Sequence, residues 1–380
     1  MSSNRPIRIV IAGGGTGGHV LPALSVIEEL ERRGVAMELL WIGSKHGIER
    51  NEARARGIPF RAVATGKFRR YPDLKTVTDA ARVPIGVPQA WWILRGFHPD
   101  AIFSTGGYVS TPSVISGTRM APVLSHEQTA VLGLATRLNA RFVDVQALTF
   151  ESSLNYTKDT SKTVVTGNPV RASLKEGTRT GGLQRFGFRS DLPVLFVTRG
   201  ARGSSPLNER IEAILDDLLE RMQILHQTGA TTDNPDYERL SRRQRGLSSD
   251  VRERYFLVER VRDEMADIYA MADLMLARAG AGTVAEIAFL GKTAILIPLP
   301  GAGGHEQHRN AEALSSVDGA VVIDQSEASP AKLREMIFGL ISDPDRRARI
   351  GGNAAAAGRP DAAARLADQL LELAQRRKQS

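Results

Sequence analysis

The sequence predicts an α/β protein with two doubly wound, Rossmann-like domains, and three observations support this. Ile7 to Ala12 (IRIVIA) is rich in β-branched residues, as expected for a strand buried in a parallel sheet. A glycine loop, helical periodicity over residues 21 to 33, and a second strand from Met37 to Ile42 follow, which together make a βαβ unit. A second βα series begins at Val194 to Thr198, and 380 residues exceed the usual size of one domain.

The composition is that of an ordinary soluble globular protein, with 42% hydrophobic and 24% charged residues. No apolar stretch reaches the length of a membrane span and no signal-peptide pattern opens the sequence, so a cytoplasmic location is expected. The absence of cysteine excludes disulfides and thiolate chemistry. A net charge of +8 predicts anionic partners, but no nucleic-acid-binding signature accompanies it.

The first glycine loop matches a dinucleotide-binding pattern only in part. Gly13, Gly15 and Gly18 satisfy G-x-G-x-x-G, which suggests an NAD or FAD enzyme. Such an enzyme needs an acid at the end of the second strand to bind the ribose, and residues 43 to 45 (GSK) stand there instead. An oxidoreductase is therefore the last choice, and we interpret the loop as a place where an anion approaches the backbone.

Two more polar loops follow strands in the first half. Gly106-Gly107-Tyr108 comes after the short strand 101 to 104, and residues 126 to 129 (HEQT) end the strand that starts at Val123. Parallel strands carry their sites at the carboxyl ends, so these loops should share one sheet edge. Residues 1 to 172 are predicted as the first domain, closed by the segment 167 to 171, and the Gly- and Thr-rich run up to residue 191 as a linker.

A basic and aromatic segment spans residues 66 to 98. It contains the adjacent pair Trp91 and Trp92 beside several basic residues, a composition typical of a surface that faces anionic lipid. The alternative is a helix that packs one tryptophan into the core and exposes the other. The sequence leaves both interpretations open.

The second half is organised around the stretch 278 to 286 (RAGAGTVAE). It follows a strand over 273 to 277, and a small-residue turn before a helix exposes backbone N–H groups that suit a phosphate. Glu286 is expected in the first helical turn, within reach of a sugar hydroxyl; the alternative is a tight connection with an acid favoured by the helix dipole. Residues 191 to 360 form the second predicted domain, followed by a helix and basic tail over 361 to 380. Facing domains would leave a cleft lined by these loops.

Seven motifs, in order along nearly the whole chain, together resemble one family. They are Gly14 to His19 with Pro22-Ala23, Gly106 to Ser110, His126-Glu127-Gln128, Gly167 to Arg171, His226 to Gly229, Arg278 to Glu286, and Gln307 with Asn310-Ala311. The chain resembles the inverting GT-B glycosyltransferases of bacterial cell-wall synthesis, which move N-acetylglucosamine (GlcNAc) from UDP-GlcNAc onto the undecaprenyl-pyrophosphoryl muramyl-pentapeptide.

The resemblance implies that the first domain binds the acceptor and the second binds the donor. His19 would be the base that takes the acceptor proton, with Glu127 as the other candidate. Acceptor binding would fall to Thr16, Gly17, Gly18, Gly106, Gly107, Tyr108, Gln128, Thr129 and Arg171. Donor binding would fall to Arg199, Arg202, Arg262, Ala281, Gly282, Thr283, Glu286, Gln307 and Asn310.

The resemblance also implies partners and a location. They are a nucleotide sugar, a polyprenyl-diphosphate lipid and an anionic membrane surface, with no nucleic acid, at the cytoplasmic face of the membrane as a peripheral protein. Helix N-termini and backbone amides would hold the donor phosphates, so neither a metal nor a cofactor beyond the donor substrate is expected.

The departures from the family pattern cluster on the donor side. Residues 199 to 204 (RGARGS) replace Gly-Gly-Ser-Gln-Gly-Ala, Arg262 replaces an apolar residue near the base, and Glu306 and Thr129 are also atypical. Arg199 and Arg202 could substitute charge-assisted contacts for the lost serine hydroxyl. Two alternatives therefore stand beside the family activity: a related transferase with another nucleotide sugar or polyprenyl acceptor, and a catalytically weakened paralogue that binds lipid or protein.

Overall fold

A computed structural model describes residues 5–66, 82–198, 205–229, 235–261, 264–301 and 305–379. The chain divides into two compact units. Unit 1 contains the described residues up to Arg171 and those from Arg359 onward, whereas unit 2 runs from Ala172 to Gly358. Each unit is a parallel sheet covered by helices, which confirms the predicted fold class of two doubly wound domains.

The sheet of unit 1 has seven parallel strands among the described residues, in the order β3-β2-β1-β4-β5-β6-β7. Their bounds are β1 Ile7–Ala12, β2 Met37–Gly43, β3 Phe60–Ala62, β4 Ala101–Ser104, β5 Val123–Glu127, β6 Val145–Leu148 and β7 Thr163–Val165. The strand order reverses between β1 and β4. Open parallel sheets form their ligand crevice at such a switch point, at the carboxyl ends of the strands.

The helices of unit 1 cover both faces of this sheet. They are α1 Gly17–Arg32, α2 Glu49–Ala55, α3 Arg82–Phe97, α4 Gly107–Gly117 and α5 Leu134–Asn139, with 3-10 turns at Ala140–Phe142 and Glu151–Tyr156. The C-terminal helix, Ala362–Gln379, also belongs here: Leu366 and Leu370 are fully buried in the same core as Ile9 and Trp41. Unit 1 is therefore built from two separate stretches of the chain.

The sheet of unit 2 repeats the switch point with six parallel strands in its described part, in the order β10-β9-β8-β11-β12-β13. Their bounds are β8 Val194–Thr198, β9 Gln223–Gln227, β10 Tyr255–Val258, β11 Leu274–Ala277, β12 Ala294–Leu296 and β13 Val321–Val322. The reversal lies between β8 and β11. The predicted strand before residue 278 is confirmed as β11.

The helices of unit 2 include one in the run that we expected to be a linker. In chain order, α6 to α16 are Arg179–Phe186, Ser205–Glu212, Leu215–Leu219, Asp236–Arg245, Ser249–Arg252, Met265–Met271, Ala281–Leu290, Glu306–Ser315, Pro330–Ile341, Pro344–Ala357 and, in unit 1, Ala362–Gln379. Helix α6 starts with the Thr178 side chain capping Gly181 N–H and ends at Gly187, which is left-handed. Gly182 lies directly against Met271 of α11, so close packing explains glycines that we interpreted as part of a linker.

No helix in the described ranges is long and apolar enough to cross a bilayer. The paired tryptophans lie on α3, where Trp91 is 37% and Trp92 68% exposed. Ala90 and Leu94 supply the buried contacts of that helix instead. The interpretation that buries one of the two tryptophans in the core is therefore wrong.

Candidate active site

The two glycine loops of unit 1 begin side by side at the switch point. Ala12, the last residue of β1, pairs with Ser104, the last residue of β4, and Thr105 N–H donates to the Ala12 carbonyl over 3.0 Å. Helix α1 starts after the first loop at Gly17 and α4 after the second at Gly107. The sheet register thus brings two predicted acceptor motifs together.

His19 lies in the first turn of α1, half-buried, between the two loops. Its Nδ1 is 2.9 Å from the Thr105 carbonyl oxygen and 2.9 Å from Gln128 Oε1. Its Nε2 faces Gly107, where an added Cβ would lie only 2.9 Å away and where φ is +71°. Glycine is required at 107 both for this backbone conformation and for the space beside the imidazole.

The side chain of Tyr108 extends from the second loop over the first. A Cβ added to Gly15 would lie 3.4 Å from the Tyr108 hydroxyl oxygen. Gly106 has a φ of +77°, and a Cβ there would lie 3.2 Å from the His126 carbonyl oxygen. The structure therefore places Gly106, Gly107 and Tyr108 in one cluster with His19.

The start of α1 supplies the remaining backbone donors of this cluster. Thr16 is the N-cap residue in an extended conformation, and the first helical bonds run from His19 N and Val20 N to its carbonyl. The N–H groups of Gly17 and Gly18 precede these bonds, and such N–H groups have no acceptor within a helix. Thr16 and Gly17 are half-buried and Gly18 is exposed.

A buried carboxylate beneath the first loop escaped the sequence analysis. Glu49 begins α2 and is fully buried; its Oε2 accepts from Gly15 N–H at 2.8 Å, and its Oε1 accepts from Ser44 N–H at 2.8 Å and Ser44 Oγ at 2.6 Å. A Cβ on Gly14 or Gly47 would lie within 2.5 Å of this carboxylate. These glycines therefore make room for Glu49. The acid lies six residues beyond the end of β2, further along than the dinucleotide pattern places it.

Glu127 holds its own loop in place. Its carboxylate accepts from Thr129 N–H at 3.2 Å, from Thr129 Oγ1 at 2.8 Å and from Gly133 N–H at 3.0 Å. The side chain is 4% exposed. Thr129, one of the atypical residues, therefore donates to Glu127 through its N–H, and its hydroxyl hydrogen is shared between Glu127 and the Val131 carbonyl, 2.7 Å away.

Arg171 is not brought into this cluster by any recorded contact. It is half-buried at the end of the first stretch of unit 1. The hydrogen bonds that the described residues show for the His19 and Gln128 side chains go to Thr105, to His126 and to each other, and not to Arg171.

In unit 2 the switch-point loop leads directly into a helix. The chain passes from β11 through residues 278 to 280 into α12, whose first backbone bond runs from Val284 N to the Gly280 carbonyl at 3.0 Å. Ala281, Gly282 and Thr283 form the preceding turn and are half-buried. Their N–H groups have no acceptor within the helix, which is the arrangement that binds phosphates elsewhere.

Arg278, the first residue of this loop, is a buried cation. Its Nη1 donates to the carbonyls of Ile297 at 3.0 Å and Pro298 at 3.3 Å, and its Nη2 donates to Gln325 Oε1 at 2.6 Å. Burial lowers the pKa of Arg278 to about 10, with repulsion from Arg210 adding to it. The guanidinium therefore remains charged at neutral pH.

Two residues of α13 contact neighbouring loops. Asn310 is fully buried, and its Nδ2 donates to the Ala279 carbonyl over 3.1 Å. Gln307 is half-buried, and its Oε1 accepts from Leu299 N–H at 2.9 Å. Asn310 thus fixes the loop itself, and Gln307 fixes the strand-to-helix connection that precedes it.

Glu286 lies in the second turn of α12, because the helix starts at Ala281. Our expectation of a first-turn position was wrong by one turn. The Tyr269 hydroxyl donates to Glu286 Oε2, and the Tyr269 ring packs edge-on against Phe196 of β8. Tyr269 is another residue that sequence analysis missed, since its partner is 17 positions away on a different helix.

Three predicted donor residues, Arg199, Arg202 and Arg262, lie outside the described residues, as do Lys67 to Tyr71 of the basic aromatic segment. Among the described residues, no group of three His, Asp or Glu side chains is arranged to hold a metal ion.

Comparison with known families agrees with this architecture. Residues 9–147 match the glycosyltransferase family 28 N-terminal domain, and residues 194–366 match the family 28 C-terminal domain. Two curated relatives share one name, UDP-N-acetylglucosamine–N-acetylmuramyl-(pentapeptide) pyrophosphoryl-undecaprenol N-acetylglucosamine transferase. The Thermoanaerobacter sp. protein is 33% identical over 95% of this chain and 98% of its own length. The Bacillus subtilis protein is 34% identical over 97% and 99%.

Solved structures give the same result. Acinetobacter baumannii MurG superposes with a TM-score of 0.71 at 26% identity, covering 97% of this chain and all of that one. The calicheamicin glycosyltransferase CalG4, at 16% identity and a TM-score of 0.65, covers 98% and 99% and shares the fold. The resemblance inferred from seven motifs is thereby confirmed, and the chain belongs to glycosyltransferase family 28, among the N-acetylglucosaminyltransferases of peptidoglycan synthesis.

Proposed function

We propose that this chain transfers GlcNAc from UDP-GlcNAc to the undecaprenyl-pyrophosphoryl muramyl-pentapeptide. The observation that carries the proposal is the His19 cluster: an imidazole nitrogen faces Gly107 between two glycine loops, in a chain that matches such transferases over 95% of its length. In a single displacement, the acceptor hydroxyl oxygen attacks C1 of the donor sugar, the bond from C1 to the UDP oxygen breaks, and UDP leaves with the electron pair. The anomeric configuration inverts.

His19 Nε2 accepts the hydroxyl proton in this proposal. Glu127 is the less suitable base, because its carboxylate already accepts three hydrogen bonds from Thr129 and Gly133. The N–H groups of Gly17 and Gly18 and the Tyr108 hydroxyl are the groups that face the acceptor. Gly15 N–H is not available to it, because Glu49 accepts that bond.

The donor side combines a backbone site with a few side chains. The N–H groups of Ala281, Gly282 and Thr283 bind the diphosphate, and the buried charge of Arg278 adds a favourable field. Glu286 accepts hydrogen bonds from the ribose hydroxyls while Tyr269 holds its orientation. Asn310 contributes by fixing the Ala279 carbonyl, and Gln307 contacts the sugar. Arg199, Arg202 and Arg262 remain proposed donor contacts on sequence grounds.

The test is calorimetric binding of UDP, UDP-GlcNAc and other nucleotide sugars, followed by transfer to the lipid acceptor. Preferential binding of UDP-GlcNAc with transfer supports the proposal. Tight binding and transfer of a different sugar replaces it with a related transferase. Failure to bind any nucleotide sugar leaves a non-catalytic paralogue.

We also propose that unit 1 docks on anionic membrane through α3, as a peripheral protein at the cytoplasmic face. Trp92 and Ile85 are 68% and 55% exposed, and the Arg95 guanidinium lies 5.4 Å from the centre of the Trp91 ring. Indole rings beside cations suit the interfacial region of a bilayer. Next to them is a cavity of about 490 Å³ whose lining includes Arg5, Arg95, Arg119 and Arg377, together with Asp100, which pairs with Arg5.

Binding to vesicles with and without phosphatidylglycerol tests the docking surface. We expect the double variant Trp91→Ser/Trp92→Ser to bind anionic vesicles less and UDP-GlcNAc equally well. Arg95→Gln/Arg119→Gln should also reduce binding to anionic vesicles. Arg54→Gln/Arg56→Gln is the control, because it removes the same charge from exposed sites on α2 and just beyond it. Equal losses in the two arginine pairs would show that net charge alone drives binding.

A further inference from the structure

We infer that Gln128 and His126 are positioning residues that keep the proton of His19 on Nδ1 and so leave Nε2 as the proton acceptor. The inference rests on the proposed function for its catalytic meaning. The arrangement itself rests on hydrogen bonds that end at backbone carbonyls, which can only accept.

Two carbonyls fix the orientation of the Gln128 side-chain amide. Gln128 Nε2 lies 2.9 Å from the Thr105 carbonyl oxygen and 3.1 Å from the His126 carbonyl oxygen. If the amide were turned over, its oxygen would face both of these acceptors. Since Gln128 is 2% exposed, no water would relieve that repulsion. The amide nitrogen must therefore be at this position, and the amide oxygen must face His19.

The Gln128 oxygen in turn determines the tautomer of His19. His19 Nδ1 lies 2.9 Å from Gln128 Oε1 and 2.9 Å from the Thr105 carbonyl oxygen. Both neighbours are acceptors, so Nδ1 carries the hydrogen. In a neutral imidazole the other nitrogen then has a free lone pair, and this nitrogen is the one that faces Gly107.

His126 completes the arrangement with the opposite tautomer. Its Nδ1 is 3.0 Å from Gln128 Nε2, and its Nε2 is 2.9 Å from the Gly167 carbonyl oxygen. His126 Nε2 therefore donates to Gly167. One N–H of the Gln128 amide goes to the Thr105 carbonyl, and the other is shared by His126 Nδ1 and the His126 carbonyl, so Nδ1 is an acceptor. His126 is fully buried, and burial lowers its pKa to about 4, so it stays neutral and keeps an acceptor in front of the amide at neutral pH.

The arrangement has a consequence for the transfer reaction. When Nε2 takes the acceptor proton, the resulting imidazolium already has two oxygens facing its Nδ1–H, and no neighbouring group must reorient. The supporting residues carry no charge. Histidine bases are often oriented by a carboxylate instead. Here Glu127 is engaged by its own loop and Glu49 by Gly15 and Ser44.

The direct test is ¹⁵N NMR of histidine-labelled protein at neutral pH, with signals assigned through His19→Gln and His126→Gln variants. We expect opposite tautomers, Nδ1–H for His19 and Nε2–H for His126. A His19 in the Nε2–H form, or a His126 in the Nδ1–H form, would overturn the inference. Because this measurement needs no turnover, opposite tautomers in a chain that transfers no sugar would overturn the proposed function alone.

Two variants of Gln128 test whether the amide controls catalysis. In Gln128→Ala, His19 Nδ1 keeps only the Thr105 carbonyl, and we expect kcat to fall about tenfold, the effect of one neutral hydrogen bond. Gln128→Glu should be worse, because its second oxygen would face the Thr105 and His126 carbonyls. Retained or increased activity in Gln128→Glu would mean that a carboxylate serves equally well, against the inference.

Gln146→Ala is the matched control. Gln146 is also a buried glutamine of the same sheet, 4% exposed, and its Nε2 donates to the carbonyls of Ser125 and Ala147 at 3.3 Å. Neither of these hydrogen bonds involves His19 or His126. We expect Gln146→Ala to leave the tautomer signals and kcat unchanged even if the unfolding temperature falls, and an equal loss of kcat in both variants would attribute the Gln128 effect to general destabilisation.

Discussion

The two switch points of this molecule share a backbone design but differ in the charge at the loop. In unit 1 the Glu49 carboxylate accepts the Gly15 N–H, whereas in unit 2 the loop before α12 begins with the buried guanidinium of Arg278, which donates to carbonyls that follow β12. A phosphate near a buried cation is stabilised, and one near a buried carboxylate is not. A glycine loop after a strand therefore does not by itself indicate a phosphate site. The charge of the buried side chain at the loop decides whether a phosphate is stabilised there.

The units also differ in which atoms perform the work. The unit 1 cluster adds two side chains, an imidazole and a phenol, to the N–H groups at the start of α1, whereas unit 2 presents mainly the N–H groups of a helix N-terminus. Variants in unit 1 should therefore affect turnover, and variants in unit 2 should affect donor binding. The predictions below test this separation, from the largest effect to the smallest.

Replacing the imidazole should have the largest effect. In His19→Ala the acceptor proton has no base, and we expect kcat to fall about 10²- to 10⁴-fold. The Kd for UDP-GlcNAc, measured by calorimetry, should be unchanged because the donor loop lies in unit 2. A comparable loss of donor affinity would contradict the separation.

Filling the space beside the imidazole should come next. Gly107→Ala would place a Cβ 2.9 Å from His19 Nε2, and displacing the base by a few tenths of an ångström or more should reduce kcat by on the order of 10²-fold. Gly57→Ala is the control, because Gly57 has a similar φ of +67° with nothing within 4 Å of an added Cβ. If both variants lose activity equally, backbone strain rather than contact with His19 is the cause.

Removing the predicted ribose ligand should affect binding instead of chemistry. Glu286→Ala should weaken UDP-GlcNAc binding by about 1.5 to 3 kcal/mol, the value of a charge-assisted hydrogen bond. Tyr269→Phe leaves the carboxylate but removes the hydroxyl that orients it, so its loss should be smaller. An unchanged Kd in Glu286→Ala would remove this residue from the donor site.

The smallest effect concerns the pH dependence of stability in unit 1. The folded pKa of His126 is lowered to about 4 from its usual 6.5, so between these values the unfolded chain binds the proton more strongly. The contribution of His126 to the free energy of unfolding is therefore complete above pH 6.5. It falls with decreasing pH, by about 1 kcal/mol between pH 6 and pH 5. Urea unfolding should show this slope, and His126→Gln should lose it. An equal slope in the variant would assign the titration elsewhere.

Local patterns sufficed to predict the strands, the glycine loops and their common sheet edge. The apolar run from Ile7 to Ala12 predicted a strand, and the structure has that strand. The small residues after β11 predicted a loop, and the structure has a loop there. These features depend on residues close together in the sequence, which is what periodicity reports.

The buried side chains at the loops could not be predicted in this way. Glu49 accepts from Gly15 across 34 positions, and Arg278 reaches Gln325 across 47. Such contacts depend on how helices pack on the sheet and leave no periodic signal. Helix α6 was missed for a related reason. Its glycines suggest a linker in the sequence, and only the structure shows that they make room for the neighbouring helix α11.

The placement of the C-terminal helix α16 has a consequence for synthesis on the ribosome. Leu366, Leu370 and Leu373 fill the same core as β1, yet they are translated after all of unit 2. At bacterial elongation rates, unit 2 takes roughly 10 to 40 s to make, and during this time the first 171 residues lack part of their apolar cover. Unit 2 can therefore finish folding before the core of unit 1 is complete, although unit 1 starts first.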